Sequence, residues 1–324
     1  MKILPNDGIS SSAIEVLEKE GLEVINHKVA QEQLANFINE NKVEVLLVRS
    51  ATQVKKDLID SCPTLKIIGR GGVGMDNIDV DYAKKKGINV INTPAASSRS
   101  VAELVFAHML SLYRFLQDSN RNMPLEGDTN FSALKKSYGK AMELGGKTLG
   151  VIGFGRIGVE VAKIGLALGM KIIVSDAEKI TRTLTLDFFD GQKVDFTLTT
   201  TTMEEVLKNS DAISVHVPKQ PKYIIGEKEI NLMKKTSVLV NASRGGVIDE
   251  VALINALNED KIFGAALDVF EKEPKPEITL LMNPKLSLSP HIGGNTLEAQ
   301  ERVGIELAEQ IISFYKNNHQ NLSS

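Results

Sequence analysis

Glycines and acids at fixed intervals are where this chain first shows chemistry. Thr148 to Asp176 reads TLGVIGFGRIGVEVAKIGLALGMKIIVSD. An apolar strand (Leu149 to Ile152) runs into Gly153-Phe154-Gly155-Arg156-Ile157-Gly158, a helical run continues to about Gly169, and a second apolar strand (Ile172 to Val174) ends at Asp176. This is one βαβ unit with G-x-G-x-x-G at its strand-to-helix turn. Gly153 permits the tight turn, Gly155 lets a pyrophosphate approach the backbone, and Gly158 lets the helix pack on the strand. The free N–H groups at the helix start then face the phosphates. Asp176 follows Gly158 by 18 residues, close to the spacing of an acid that binds a ribose 2′-OH. Its charge repels a 2′-phosphate, so the pattern points to NAD and away from NADP. The alternative is a glycine-rich turn in an unrelated α/β protein, and the flanking strand, helix and acid weigh against it.

Other reactive types stand at the ends of strands. Arg244, in Asn241-Ala242-Ser243-Arg244-Gly245-Gly246, follows the apolar VLV, at a strand's C-terminal end where α/β sheets bind ligands. A guanidinium there can fork onto a carboxylate or cap a turn, and position leaves both open. Glu273 lies in Asp268-Val269-Phe270-Glu271-Lys272-Glu273-Pro274, which on its own reads as a solvated acidic loop. His291, in Ser289-Pro290-His291-Ile292-Gly293-Gly294, is by base expectation a loop or core histidine. Histidine is also the side chain best suited to move protons near neutral pH, and a hydrogen-bonded carboxylate would orient its ring. Arg70-Gly71-Gly72-Val73-Gly74 follows the strand KIIG. Such a turn is either an anion-binding nest of backbone N–H groups or a plain tight turn.

The elements that must position these residues alternate strand and helix throughout, which indicates an α/β fold with parallel sheets. The first ~95 residues read as one small α/β unit, with strands at Met1–Leu4, Val24–Ile25, Val45–Val48, Lys66–Gly69 and Asn89–Asn92 separated by helices. A long helix follows from about Ser97 to Leu116, with Val101, Leu104, Val105, His108 and Leu112 on one face, suited to a core or to an interface. The polar stretch Gln117 to Glu143 reads as an extended loop with a short helix at Phe131 to Tyr138. A second α/β unit opens at Lys147. Its strands continue near Ala212–Val217, Ser237–Asn241, Gly264–Asp268 and Leu286–Leu288. The last helix, about Thr296 to Tyr315, carries Val303, Leu307, Ile311 and Phe314 on one face and is expected to return to the first unit. The second unit is thus inserted in the first, with ligands expected in an interdomain cleft.

Composition excludes several classes. A chain of 324 residues suggests about two domains, and its 42% hydrophobic and 24% charged content is ordinary for a globular protein. A net charge of −3 offers no basic excess for nucleic acid or a membrane surface. Apolar runs fall far short of the ~18 residues of a membrane span, and Pro5, Asn6 and Asp7 interrupt any signal-peptide stretch. The single cysteine, Cys62, makes no internal disulfide and reads as a buried thiol, which fits a cytoplasmic setting. No histidine pair has metal-ligand spacing, so no metal is expected.

In order, RGGVGMDNID, GFGRIG with Asp176, NASRGG and DVFEKEP with SPHIGG resemble the D-isomer-specific 2-hydroxyacid dehydrogenase family, from about Lys2 to Tyr315. The resemblance implies two doubly wound parallel-sheet domains: a flavodoxin-like substrate domain (1–95 and 293–324) with an inserted Rossmann NAD domain (96–292). It implies that His291 is the acid/base, that Glu273 pairs with it, and that Arg244 holds the substrate carboxylate. Val73 and Gly74 would supply backbone donors. Arg156 and Ile157 would touch the pyrophosphate and Asp176 the adenine ribose. Val217 would lie along the cofactor, and Ala242 and Asp268 would face the nicotinamide carboxamide. A homodimer or higher homo-oligomer is expected.

The Leu47–Thr52 and Arg70-Gly71-Gly72 segments resemble the branch that oxidises D-3-phosphoglycerate in serine synthesis, with Arg49 and Arg70 as cations for the phosphate. Hydroxypyruvate and glyoxylate reductases share the catalytic residues, which therefore do not decide between them. Glu273 argues against the formate-oxidising branch, where glutamine replaces this acid. A NADH-sensing scaffold of the corepressor kind also keeps Arg, Glu and His, but carries longer tails than the polar Lys316 to Ser324. Two segments depart from the family pattern. KQPKYIIG after His216-Val217-Pro218 is short and lacks the usual threonine, and Asn120 to Lys140 is long and lacks the usual tryptophan. Longer relatives carry a C-terminal serine-binding domain that is not seen here, so feedback by serine through it is not expected.

Overall fold

The computed structural model describes residues 1–320. The central strands of the first sheet, Lys2–Pro5, Val45–Val48 and Ile67–Arg70, are short and mostly buried on both sides, as strands of a covered parallel sheet must be, while its edge strands are more exposed. The five strands are β1 (Lys2–Pro5), β2 (Glu23–Val24), β3 (Val45–Val48), β4 (Ile67–Arg70) and β5 (Asn89–Asn92), and the helices α1 (Ser11–Lys19), α2 (Leu34–Asn41), α3 (Lys56–Ser61) and α4 (Val80–Lys85) run between them. The sheet order is β2-β1-β3-β4-β5, all parallel, which is the flavodoxin-like doubly wound order. Because side chains alternate along a strand, Ile3, Val45, Leu47 and Ile67 fill one face of the sheet while Leu4, Leu46, Val48 and Ile68 fill the other.

The next unit opens with α5 (Ser98–Tyr113), α6 (Leu116–Glu126) and α7 (Phe131–Ser137). It continues through β6 (Thr148–Ile152), α8 (Arg156–Ala167), β7 (Lys171–Ser175), β8 (Thr181–Asp187), β9 (Lys193–Thr199), α9 (Met203–Asn209) and β10 (Ala212–Val215). It ends with α10 (Glu227–Ile230), β11 (Val238–Asn241), α11 (Glu250–Asn258), β12 (Gly264–Leu267), α12 (Ile278–Leu281) and β13 (Leu286–Leu288). Its parallel six-stranded sheet runs β13-β12-β11-β10-β6-β7. The chain leaves β6 for β7 on one side and returns as β10 on the other. That reversal makes the carboxyl end of β6 a topological switch point, where open α/β sheets bind ligands. Of the α5 stripe, Val101, Val105, His108 and Leu112 are buried and Leu104 is half-buried, and Val101, Val105 and Leu112 join the core packed on this sheet.

The final helix, α13 (Leu297–Gln320), buries Leu307 and Ile311 in the core of the first sheet. By compactness the chain divides into residues 1–97 with 294–324, and residues 98–293. The last four residues of the polar tail lie outside the described ones.

Two segments differ from the sequence expectation. Residues 117–126, expected as loop, are helical in α6 despite Pro124 within it. They have no apolar periodicity, so the helix is held from outside: Tyr138 donates to Asp118, and Asn122 donates to both. Between β7 and α9 the chain forms an antiparallel hairpin, β8 with β9 in seven-residue register. Its ladder carries threonine pairs Thr181–Thr199 and Thr183–Thr197. Leu184 is its buried anchor, and Phe189 stands fully exposed beside the tip.

Candidate active site

The G-F-G turn sits at the switch point. Gly153 has φ +93°, and a Cβ there would overlap the His216 carbonyl and press on Val217. Val217 is therefore beside the turn. Gly158, inside the first turn of α8, lies so close to the Gly153 carbonyl that any side chain would collide with it. Gly155 differs: nothing lies within 4 Å of the Cβ position, so the space over it is open. No side chain among the described residues caps α8 at Gly155, and the first N–H groups of its 12-residue helix remain for an anion. Asp176, just past β7, accepts from Phe154 N (2.6 Å) and Ala177 N (2.7 Å). These bonds fix the carboxylate beside the glycine turn, where an adenine ribose would lie. An open glycine, an uncapped helix and a fixed acid together fit a dinucleotide.

The second group of residues gathers at the carboxyl ends of β11, β12 and β13. Asn241 closes β11 and organises the turn after it. Its Oδ1 accepts from Ser243 N and Oγ (3.0 and 2.8 Å), and its Nδ2 donates to Arg244 O (3.0 Å). The Arg244 guanidinium donates to Ser243 O (2.6 Å). Gly245 packs onto the Phe270 carbonyl with no room for a Cβ, which presses the Arg244 turn against the loop of Glu273. In that loop Phe270 N donates to Glu273 Oε1 (3.0 Å), and Glu273 Oε2 lies 2.8 Å from His291 Nδ1. With Nδ1 engaged, Nε2 is the ring nitrogen available to a substrate.

His291 has φ +55°, a conformation that L-residues adopt rarely and that marks a constrained position. The constraint is Asp268. Its carbonyl accepts from His291 N (2.8 Å), its Oδ1 from Ile292 N (2.8 Å) and its Oδ2 from Gly293 N (2.8 Å). Three successive N–H groups thus wrap one buried aspartate. Ala242 is buried nearby on the β11 turn. The structure therefore brings His291, Glu273, Arg244, Ala242 and Asp268 into one loop cluster. The organising duties of Asn241 and Asp268 had only a weak signal in the sequence, a polar residue ending an apolar strand.

The remaining candidates lie in the first unit, at the ends of β3 and β4, where Val48 and Arg70 pair in register. Arg49 N donates to Asp7 Oδ2 (2.6 Å), which also accepts from Thr52 N (3.1 Å). Arg70 curls over Gly72, whose φ is +138° and whose Cβ position falls on the guanidinium. Gly72 N donates to Thr93 Oγ1 (2.8 Å), and Asn92 Nδ2 donates to Val73 O (2.9 Å). Val73 is exposed and Gly74 partly so. Arg49, Arg70, Val73 and Gly74 thus gather at the carboxyl end of the first sheet.

Comparison with known proteins places this architecture. Residues 106–293 match the NAD-binding domain of the D-isomer specific 2-hydroxyacid dehydrogenases. A hydroxypyruvate reductase of Thermotoga maritima is 45% identical over 94% of this chain and 95% of its own. A D-3-phosphoglycerate dehydrogenase of Methanocaldococcus jannaschii is 42% identical over 96% of this chain, which spans 57% of that longer protein. A D-lactate dehydrogenase of Aquifex aeolicus, solved with NAD and lactic acid, superposes with a TM-score of 0.73 at 31% identity, covering 100% of this chain and 98% of its own. The chain belongs to the D-isomer-specific 2-hydroxyacid dehydrogenase family. It is an NAD-dependent oxidoreductase acting on a small 2-hydroxy acid. No described helix is long and apolar enough to cross a membrane.

Proposed function

We propose that the chain oxidises D-3-phosphoglycerate to 3-phosphohydroxypyruvate, the first step toward L-serine. NAD, when bound, accepts the hydride from the substrate's C2. The bonded pair of His291 and Glu273, in a loop fixed by Asp268, is the observation that carries the dehydrogenase chemistry. His291 Nε2 takes the hydroxyl proton as the carbonyl forms, while Glu273 holds the ring and offsets the charge it acquires. Arg244 binds the carboxylate and polarises the new carbonyl, and Val73 and Gly74 contribute backbone N–H donors. Gly153, Gly155, Arg156, Ile157 and Gly158 receive the pyrophosphate, Asp176 the ribose, and Val217, Ala242 and Asp268 the nicotinamide end. Residues 1–95 with 293–324 act as the substrate domain and 96–292 as the cofactor domain. We also infer a homo-oligomer and a cytoplasmic setting, the latter from the buried thiol of Cys62.

The phosphate assignment rests on Arg49 and Arg70 at neighbouring strand ends, and on the relatives named for that reaction. The competing reading is hydroxypyruvate reduction, favoured by the 45% identity to the Thermotoga protein. A steady-state assay of NADH absorbance decides, using D-3-phosphoglycerate, D-glycerate and D-lactate with NAD, and hydroxypyruvate and glyoxylate with NADH. Preference for the phosphorylated substrate is expected, with KM rising about 10–100-fold in Arg49→Ala or Arg70→Ala, as loss of a charge-assisted bond predicts. Equal or better turnover of hydroxypyruvate or glyoxylate, indifferent to both arginines, would move the protein to the reductases. Tight NADH binding without turnover of any acid would point to a sensor.

A further inference from the structure

His108 is a buried histidine on α5, far in sequence from the loops that hold Arg244, Glu273 and His291, and its ring is bonded at both nitrogens. Nδ1 lies 2.8 Å from Ser287 Oγ and Nε2 lies 2.9 Å from Ser289 Oγ. The two serines stand two residues apart at the end of β13, so their side chains point to the same side. Ser289 Oγ in turn lies 2.5 Å from Asp268 Oδ1. All four side chains sit in the second unit.

The direction of this chain follows from its far end. An ionised carboxylate only accepts, so Ser289 donates its one hydrogen to Asp268. The Ser289 oxygen is then left as an acceptor toward His108, which requires the hydrogen on Nε2. That leaves Nδ1 bare, and Ser287 donates to it. Burial keeps the imidazole neutral by pushing its pKa down, only partly opposed by the charge of Asp268. One proton order therefore satisfies all four groups.

The chain ends on the residue that wraps the histidine loop. The Asp268 carboxylate accepts from Ile292 N and Gly293 N, while its backbone carbonyl accepts from His291 N, so whatever fixes the carboxylate holds the two residues that follow His291 and, through them, its left-handed turn. We propose that His108, in its Nε2–H form, is a positioning residue for His291, acting through the Ser289 hydroxyl and the Asp268 carboxylate. The proposal rests on the reading of His291 as the acid/base. His108 touches neither substrate nor cofactor in this scheme. It orders the hydroxyl that orients the aspartate.

The test combines a spectroscopic and a kinetic arm. In protein with ¹⁵N-labelled histidine, His108 is expected as a neutral Nε2–H tautomer, and an Nδ1–H tautomer would overturn the proton order. His108→Leu and Ser289→Ala are each expected to lower kcat about tenfold by misplacing the acid/base, with KM for the 2-hydroxy acid changed less than twofold. Since both substitutions cut one chain, the double variant should be no slower than the slower single one. His108→Gln, which can still accept from Ser287 and donate to Ser289, should recover part of the loss. Wild-type kcat in His108→Leu, or multiplied losses in the double variant, would sink the idea. If the wild type turns over no 2-hydroxy acid, the functional reading fails instead. The positioning claim is then judged by whether the His291 ring resonances shift in His108→Leu.

Discussion

At the scale of single residues, the telling one is His291. A side chain held in the left-handed region costs about 1–2 kcal/mol, and Asp268 offsets this with three N–H bonds in a row. The ring is then aimed by Glu273. If Glu273 works through its charge and not only its shape, Glu273→Gln keeps an oxygen for Nδ1–H but loses the counter-ion. Its kcat/KM should fall about 10²-fold and that of His291→Asn by roughly 10²–10⁴-fold, with NADH binding within twofold of wild type by fluorescence titration. Full activity in Glu273→Gln would mean that the pair is structural. These residue types were visible in the sequence because chemistry restricts them to short local patterns, such as G-x-G-x-x-G or a histidine after Ser-Pro. How they are held was not visible. Asp268 and Gly293 are 25 residues apart, His108 and Ser289 are 181 apart, and no periodicity encodes such long-range bonds.

At the scale of elements, the parallel strands were legible because they are apolar runs between turn signals, and each is found within a residue or two of its expected ends. The helix α6 was not, since its polar sequence is held by Tyr138 and not by an apolar stripe. The β8–β9 hairpin carries a short signal only: Thr183 to Leu186 alternates polar and apolar, and Asp190-Gly191 is a hairpin turn signal. The same α6–α7 region leaves Leu116, Met123, Leu125 and Phe131 exposed, Leu125 at 77%. Such apolar side chains on neighbouring elements suit burial against a second copy. If the inferred homo-oligomer is built on this face, Leu125→Asp with Phe131→Asp is expected to break it down to smaller species in sedimentation experiments. A wild-type monomer, or an unchanged oligomer in the variant, would rule this face out.

At the scale of the whole molecule, acid should loosen the fold before its carboxylates titrate. Burial holds the ring of His216 neutral, with its pKa pushed down to about 3, and lowers that of His108 as well. The unfolded chain takes up these protons first, near the ordinary histidine value of about 6.5. The stability they contribute is thus complete above that value and is lost as pH falls toward about 3. Urea unfolding at about pH 7 and about pH 5 should show a loss on the order of 1–2 kcal/mol for His216, and a smaller loss in His216→Gln. Equal losses in the two proteins would show that the ring is not what acid attacks.

The hairpin carries a consequence for how such a molecule changes over generations. The chain departs after Ser175 and is back at Thr201, which bridges to that same Ser175. Between the two, every ladder bond is internal to the excursion, and Leu184 is its one deeply buried anchor. It is a detour, not a pillar. Its length and tip can drift, or be rewritten by an engineer, while Gly153 and Asp176, just past the ends of the strands behind it, keep their places.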